Sequence, residues 1–340
     1  MRKYRILQWI DVNKLDKKAL SRSSEAITFL EENQHMIVWD SFSLNHAGVH
    51  IIKDNLDKID WDLLSSNSSA IPILKENVDK INWDNFLRNG SIDASYVIRD
   101  NKDKIKDWNN LCWNRNDWIN DIFDEDIMKK LAHWDICSLE GNPCAIPTLE
   151  KYEKYMKWNS ISKNPNAIHM LKKRPEEINL YELLLNPNPE ALHFFEKYIL
   201  PKPFDTFDLS RSKIMIPFLK KNREYINDNI CKNDEPEAVE LIEYFIDEHA
   251  KKFDEFYWWS ELSQNECAIG IMKKNIEHID WSEFCYLEEA IPIIEEHLDK
   301  VNWTILSSNP GAMHILKNNQ DKIDWSRLSE NDGIYEEMVE

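Results

Sequence analysis

Glycine and proline are scarce in this chain, at 6 and 13 of 340 residues. So few turn formers, among many Leu, Ile, Lys, Glu and Asn, argue against a turn-rich β fold and for helices. Base is also short: 42 Lys and Arg stand against 61 Asp and Glu, a formal charge of −19. That balance disfavours a broad phosphate-binding surface, which needs clustered Lys and Arg, and likewise an anionic membrane surface. No segment reaches the ~18 consecutive apolar residues of a membrane span. The opening "MRKYRILQWIDVNKLD" has neither a long apolar core nor a small-residue cleavage site, so it does not read as a secretory signal. The cysteines (Cys112, Cys137, Cys144, Cys231, Cys267, Cys285) form no C-x-x-C pair, and a reduced, intracellular chain is the expectation. Also missing are a glycine-rich phosphate loop, H-E-x-x-H, G-x-S-x-G and an EF-hand loop. Paired carboxylates abound, but so acidic a chain makes them by chance. No catalytic residue, metal site or cofactor is expected.

What the chain has is self-similarity. Trp39, Trp61 and Trp83 step by 22 residues, as do Trp259, Trp281, Trp303 and Trp325. Between them Trp108, Trp134 and Trp158 step by 24 to 26, which points to short insertions. Leu180 and Phe207 take the tryptophan place in two more copies, and a first copy without its tryptophan starts near Lys17. The unit reads approximately W-D-x-L-S-x-N-P-x-A-I-x-x-L-K-x-N-x-D-K-I-D.

Tryptophan and the leucine three places on share one face of a short helix. Asn then precedes Pro at Asn142-Pro143, Asn164-Pro165 and Asn309-Pro310, the cap and first position of a second helix. Ala, Ile and Leu at i, i+1 and i+4 (Ala70, Ile71, Leu74; Ala312, Met313, Leu316) give that helix an apolar stripe. A second Asn (Asn55, Asn77, Asn101, Asn222, Asn275, Asn319) is expected to close it in the left-handed conformation. Neither helix has enough apolar surface to fold alone, so copies must stack. The expected fold is an all-α solenoid of about a dozen stacked two-short-helix repeats of 22–26 residues. Residues 1–16 would be an N-terminal cap, 17–226 an array with insertions around 108–158, 227–258 an irregular acidic and aromatic copy, and 259–340 regular repeats with a C-terminal cap.

Each place in the repeat becomes a column. The tryptophans read as a buried core column, each contributing about 2–3 kcal/mol. The place after Ala-Ile holds Pro72, Pro147, Pro217 and Pro292 or His50, His169, His193 and His314. Proline there makes the second helix start late or bend. A type that swaps with proline is a partly exposed helix start rather than a zinc column, since no Cys or Glu recurs with it. Cys137 is expected in the leucine place. The pairs Asp57-Lys58, Asp79-Lys80, Asp103-Lys104, Asp299-Lys300 and Asp321-Lys322 predict a Lys–Asp ladder worth ~0–1 kcal/mol per exposed pair.

Two stretches depart from the pattern. "DWNNLCWNRNDWINDIFDEDI" sets Trp108, Trp113 and Trp118 at five-residue steps, and "EYFIDEHAKKFDEFYWW" interleaves aromatics with acid. Tyr and Trp ringed by charge suit an interface hot spot. The candidate partner-binding residues are Tyr244, Phe253, Phe256, Tyr257, Trp258, Trp113 and Trp118. The combination "N-P-x-A-I … N-x-D-K-I-D-W", clearest at 39–83 and 259–331, resembles the short tryptophan-containing repeats found in proteins of large DNA viruses. The resemblance implies an origin and an architecture and carries over no catalytic residue. The expected function is a non-enzymatic scaffold or adaptor for another protein, one with a basic surface by charge. A virion structural component is the alternative, and nucleic acid and membrane are not expected partners.

Overall fold

The computed structural model describes residues 2–200, 208–249 and 257–338. The chain is mostly helical, with α-helices and 3₁₀ turns following one another throughout. Among the described residues the two strands, Tyr4–Ile6 and Tyr335–Glu337, pair with each other, and no helix is long and apolar enough to cross a membrane. The chain divides into two compact units. One holds Lys17–Asn188 with the extreme chain ends, the other Ile6–Asp16 with Pro189–Glu336.

One copy shows how the sequence makes the repeat. Asp60 caps the helix Trp61–Leu64 by accepting from the Leu63 N–H at 3.0 Å. Asn67 accepts from the Ser69 N–H at 3.0 Å and starts a 3₁₀ turn, Ser68–Ala70, before the helix Ile71–Glu76 begins. Pro72 sits in that helix's first turn, where its missing N–H leaves nothing unpaired. The second helix does start late, through a 3₁₀ turn, but it does so equally where Gly270 or His314 takes the proline place. Pro147, Pro217 and Pro292 repeat the arrangement, and the link is itself a 3₁₀ turn, Val78–Lys80.

The second Asn does not enter the left-handed region. Asn77, Asn101, Asn222, Asn275 and Asn319 have φ between −135° and −130°. Each side-chain amide instead donates to the carbonyl four residues back, as Asn77 does to Ile73 at 2.8 Å and Asn55 to Ile51 at 2.9 Å. The side chain satisfies a carbonyl that the helix end leaves open, so the strained backbone is not needed.

The core is mainly aliphatic and phenylalanine, with Trp108, Trp118, Trp258 and Trp259 buried in it as well. Phe42, Leu64, Phe86, Leu111, Leu183, Leu262, Phe284, Leu306 and Leu328 in the leucine place are fully buried, as are Ala70, Leu74, Ala312 and Leu316 in the second helix. Trp39, Trp61, Trp83, Trp281, Trp303 and Trp325 are only half-buried. The link lysine lies over the ring nineteen residues earlier: Lys58 over Trp39, Lys80 over Trp61, Lys300 over Trp281 and Lys322 over Trp303, at 4.4 to 5.6 Å. Trp108 and Trp259 are buried, as expected of the column; at the half-buried places the expectation is corrected to a rim of cation–π pairs, where the lysines expected to pair with Asp cover tryptophan instead. A half-exposed indole still presents a face to a neighbouring cation, which a carboxylate in water competes for weakly.

Trp134 lies outside the column altogether and is 78% exposed. Counting back from the capping Asn142, Ile136 holds the tryptophan place, Leu139 the leucine place and Glu140 the serine place. Cys137 is therefore not in the leucine place. Leu180 does open a helix, Leu180–Leu183, as a tryptophan would, and Phe207 lies outside the described residues.

Candidate functional site

Two buried places join successive copies. The first is the Asn that caps the second helix. The Asn67 Nδ2 donates to the carbonyls of Ser43 and Asn45 at 3.0 and 3.1 Å, both in the copy before. Asn114, Asn142, Asn164, Asn186 and Asn265 each donate in the same way to two carbonyls of the copy before. The second is the serine two residues earlier. The Ser65 Oγ donates to the Trp61 carbonyl and accepts from the Asn82 N–H at 3.0 Å, seventeen residues on. Ser21, Ser43, Ser162, Ser210, Ser263 and Ser307 accept from the equivalent N–H. Glu140 replaces this serine with a fully buried carboxylate that accepts from the N–H groups of Lys157, Trp158 and Ser160. Those three donors hold Trp158 at φ 60°, the positive φ among the described non-glycine residues.

The residue between serine and asparagine points the other way. Its neighbours are buried, while Arg22, Arg88, Trp113 and Leu185 in one unit and Arg211, Lys232, Gln264, Tyr286 and Glu330 in the other are exposed at this place. It is also where the chemistry changes from copy to copy: Leu44, Ser66, Gly141, Lys163 and Ser308 complete the set. Adjacent members meet. A Cβ on Gly141 would run into the Lys163 side chain, which reaches Glu182 at 3.1 Å. Arg88 donates from Nε and Nη2 to the Asn110 Oδ1 at 3.0 and 2.7 Å, and Arg88 and Trp113 line one hollow of about 340 Å³ with Asn114, Arg115 and Asn116. This outward place is what the sequence reading missed. A column that varies gives no periodic signal, and only the burial of its two neighbours reveals it.

The candidate residues separate accordingly. Trp113 is 63% exposed on the outward column. Trp118, in the 3₁₀ turn Asp117–Asp121, is buried with its indole Nε1 unpaired. Trp258 is buried too, stacked on Trp259 at 4.3 Å and edge-on to Phe245 at 5.9 Å, with Trp259 stacked on His278. Trp118 and Trp258 are thus placed in interior packing rather than at the surface, Trp258 against Phe245 of the long helix Val239–His249. Tyr244 is half-buried under the Arg223 guanidinium at 4.8 Å. Phe253 and Phe256 lie outside the described residues, as does the side chain of Tyr257, the first residue of the helix Tyr257–Ser263.

Chemistry elsewhere is sparse. The histidines of the proline place are exposed or half-exposed and meet a glutamate nineteen residues back: His50 with Glu31, His169 with Glu150 and His314 with Glu295. Among the described residues no group of three His, Cys, Asp or Glu is placed to hold a metal. Burial, with Asp135 and Asp107 nearby, pushes the Cys112 thiol far above its ordinary range. Burial and the neighbouring Asp228 and Glu261 do the same at Cys231. Such thiols are inert. Strained Trp158 borders a second hollow with Glu150, Glu153, Met170, Lys173 and Arg174, but Arg174 is already paired with Glu153 at 2.8 Å and covers the indole at 5.0 Å. No family model matches this chain, and no curated protein or solved structure matches it either.

Proposed function

We propose that the chain is an α-solenoid acting as a non-enzymatic protein-interaction scaffold. The observation that carries this reading is the outward column: a largely exposed, chemically varied place held, within each unit, between two buried places that join successive copies. Repeat arrays offer extended surfaces of this kind, with framework and contact residues on separate faces. Large exposed side chains on the column, Trp113, Leu185 and Tyr286, are 63%, 67% and 52% exposed, and Trp and Tyr are favoured anchors at interfaces. The acidic charge suits a partner with a basic surface on the flanking faces. The resemblance to viral tryptophan repeats favours origin in a large DNA virus.

The test replaces Trp113, Leu185 and Tyr286 together by serine and compares capture of proteins from the native cell or virus preparation. The variant should keep its circular dichroism spectrum and melting temperature while losing a defined partner. Unchanged capture of every protein by the folded variant would overturn the column as the contact surface. Stoichiometric recovery in purified particles, indifferent to the substitutions, would make the chain a virion component instead.

A further inference from the structure

The outward column has the opposite charge bias from the chain. In the unit containing Lys17–Asn188 it carries Arg22, Arg88 and Lys163 and no acid, although acid exceeds base 61 to 42 overall. The bias is sharpest where Arg88, Trp113 and Arg115 surround the hollow of about 340 Å³. Among the described residues neither arginine makes an ion pair. Arg88 spends its Nε–H and one Nη2–H on the neutral Asn110 Oδ1, which fixes the guanidinium and leaves the rest of its donor fork open. Asp117 and Arg115 both lie near Cys144, and among the described residues no ion pair joins the two. The floor is rigid: Asn114 is 4% exposed, its Nδ2 donating to Leu87 and Asn89 and its Oδ1 accepting from the Asn116 Nδ2. Two guanidinium groups beside a 63% exposed indole form a site for a planar anion next to an apolar group.

We propose that this hollow binds an acidic segment of a partner protein, with side-chain carboxylates on Arg88 and Arg115 and an adjoining apolar or aromatic residue on the Trp113 face. Arginine meets a carboxylate with two parallel N–H···O bonds, a geometry lysine does not offer. The hollow is at the small end of ligand sites and suits two or three side chains. Charge decides against a nucleic acid of the same size. Screening beyond about 8 Å lets a short carboxylate pair escape the acidic remainder of the chain. A phosphate polymer would carry its charge out over that remainder. The proposal deepens the scaffold reading by naming what one part of the column recognises, and it rests on that reading.

Fluorescence anisotropy with the full chain tests it, using a fluorescein-labelled peptide of four glutamates around one phenylalanine and its glutamine counterpart. The glutamate peptide should bind saturably and at least ten-fold tighter than the glutamine peptide. R88Q/R115Q and W113S should each weaken it at least ten-fold while melting as the parent does. R88K/R115K, which keeps charge but not the fork, should recover only part of the affinity. Equal binding of the two peptides, or full affinity in folded R88Q/R115Q, would overturn the proposal. So would an oligothymidine of matched length binding more tightly through the same arginines. Failure here, with partner capture still lost in the serine-substituted column variant, would leave the scaffold reading standing and remove only the acidic ligand.

Discussion

Replacing Asn67 by alanine is the sharpest trial of the stacking. The side chain is 1% exposed and makes three bonds: Nδ2 to the Ser43 and Asn45 carbonyls at 3.0 and 3.1 Å, and Oδ1 from the Ser69 N–H at 3.0 Å. Truncation leaves the buried Ser43 carbonyl and the part-buried Ser69 N–H without partners and takes from the Asn45 carbonyl one of two, since it keeps the Gly48 N–H at 3.3 Å; each orphaned group costs about 1–3 kcal/mol. A water admitted to the gap would recover part of this, so the expected loss is about 3–5 kcal/mol. Domains have only about 5–15 kcal/mol in total, so the loss should be plain in urea unfolding followed by far-ultraviolet circular dichroism. Asn67→Asp is the control. It keeps the acceptor for Ser69 but turns an ionised oxygen toward two carbonyls, and should be no less damaging at pH 7. Protonation of that carboxyl restores one donor, so the Asp variant should gain on the Ala variant as pH falls. A loss below about 1 kcal/mol for Asn67→Ala would refute the claim that this side chain ties one copy to the next.

Leu287 sits in the asparagine place, where an amide would reach toward the Ser263 and Asn265 carbonyls. Leu287→Asn should stabilise the chain by about 1 kcal/mol, read as a raised urea midpoint. Trp61→Ala should cost about 2 kcal/mol through lost apolar contact and the Lys80 interaction. Trp134→Ala, removing a ring 78% exposed, should leave the melting temperature within a degree, and equal losses at the two sites would refute the separation of rim from surface tryptophan. A methyl on Gly48 would run into the fully buried Phe42 ring, so Gly48→Ala should destabilise by about 1–3 kcal/mol. Cys112 and Cys231 should resist a thiol reagent in the native state and react on unfolding. Their raised thiol values stay protonated in the fold while the unfolded chain ionises from about pH 8.5, so stability should fall as pH rises above that point.

Local chemistry was legible in the sequence wherever a residue acts on its own neighbours. Asn67 and Asn142 as caps, Pro72 and Pro147 in the first helical turn, and Leu64 and Ala70 as core all follow from spacing within one copy. What the sequence hid depends on the copy next door. That Asn67 also binds carbonyls 22 and 24 residues back, or that Lys80 covers Trp61, requires knowing how copies stack. The reading of tryptophan as core held at Trp108 and Trp259 but failed at Trp61 and its half-buried equivalents, because periodicity reports a constant environment without saying how dry it is. Trp113 and Trp118 look alike in a five-residue spacing, yet one is exposed and the other buried, because register against Asn114 decides which way each points.

The segment Ile6–Asp16 has a consequence for how the molecule is made. In the unit it shares with Pro189–Glu336, it supplies the link that the copy at Trp325 lacks. Lys14 lies over the Trp325 ring at 4.8 Å, the Asp16 N–H donates to the Ser329 Oγ at 2.7 Å, and the Leu7 N–H donates to the Ile334 carbonyl at 2.9 Å. The first two are the contacts that Lys80 makes with Trp61 and Asn82 with Ser65, the Asp16 bond being formed here across a sequence separation of 313 residues. On the ribosome the Asp16 link is made 313 residues before its partner Ser329. The copy at Trp325 therefore cannot finish folding until synthesis of its own residues is complete, however early the other copies assemble.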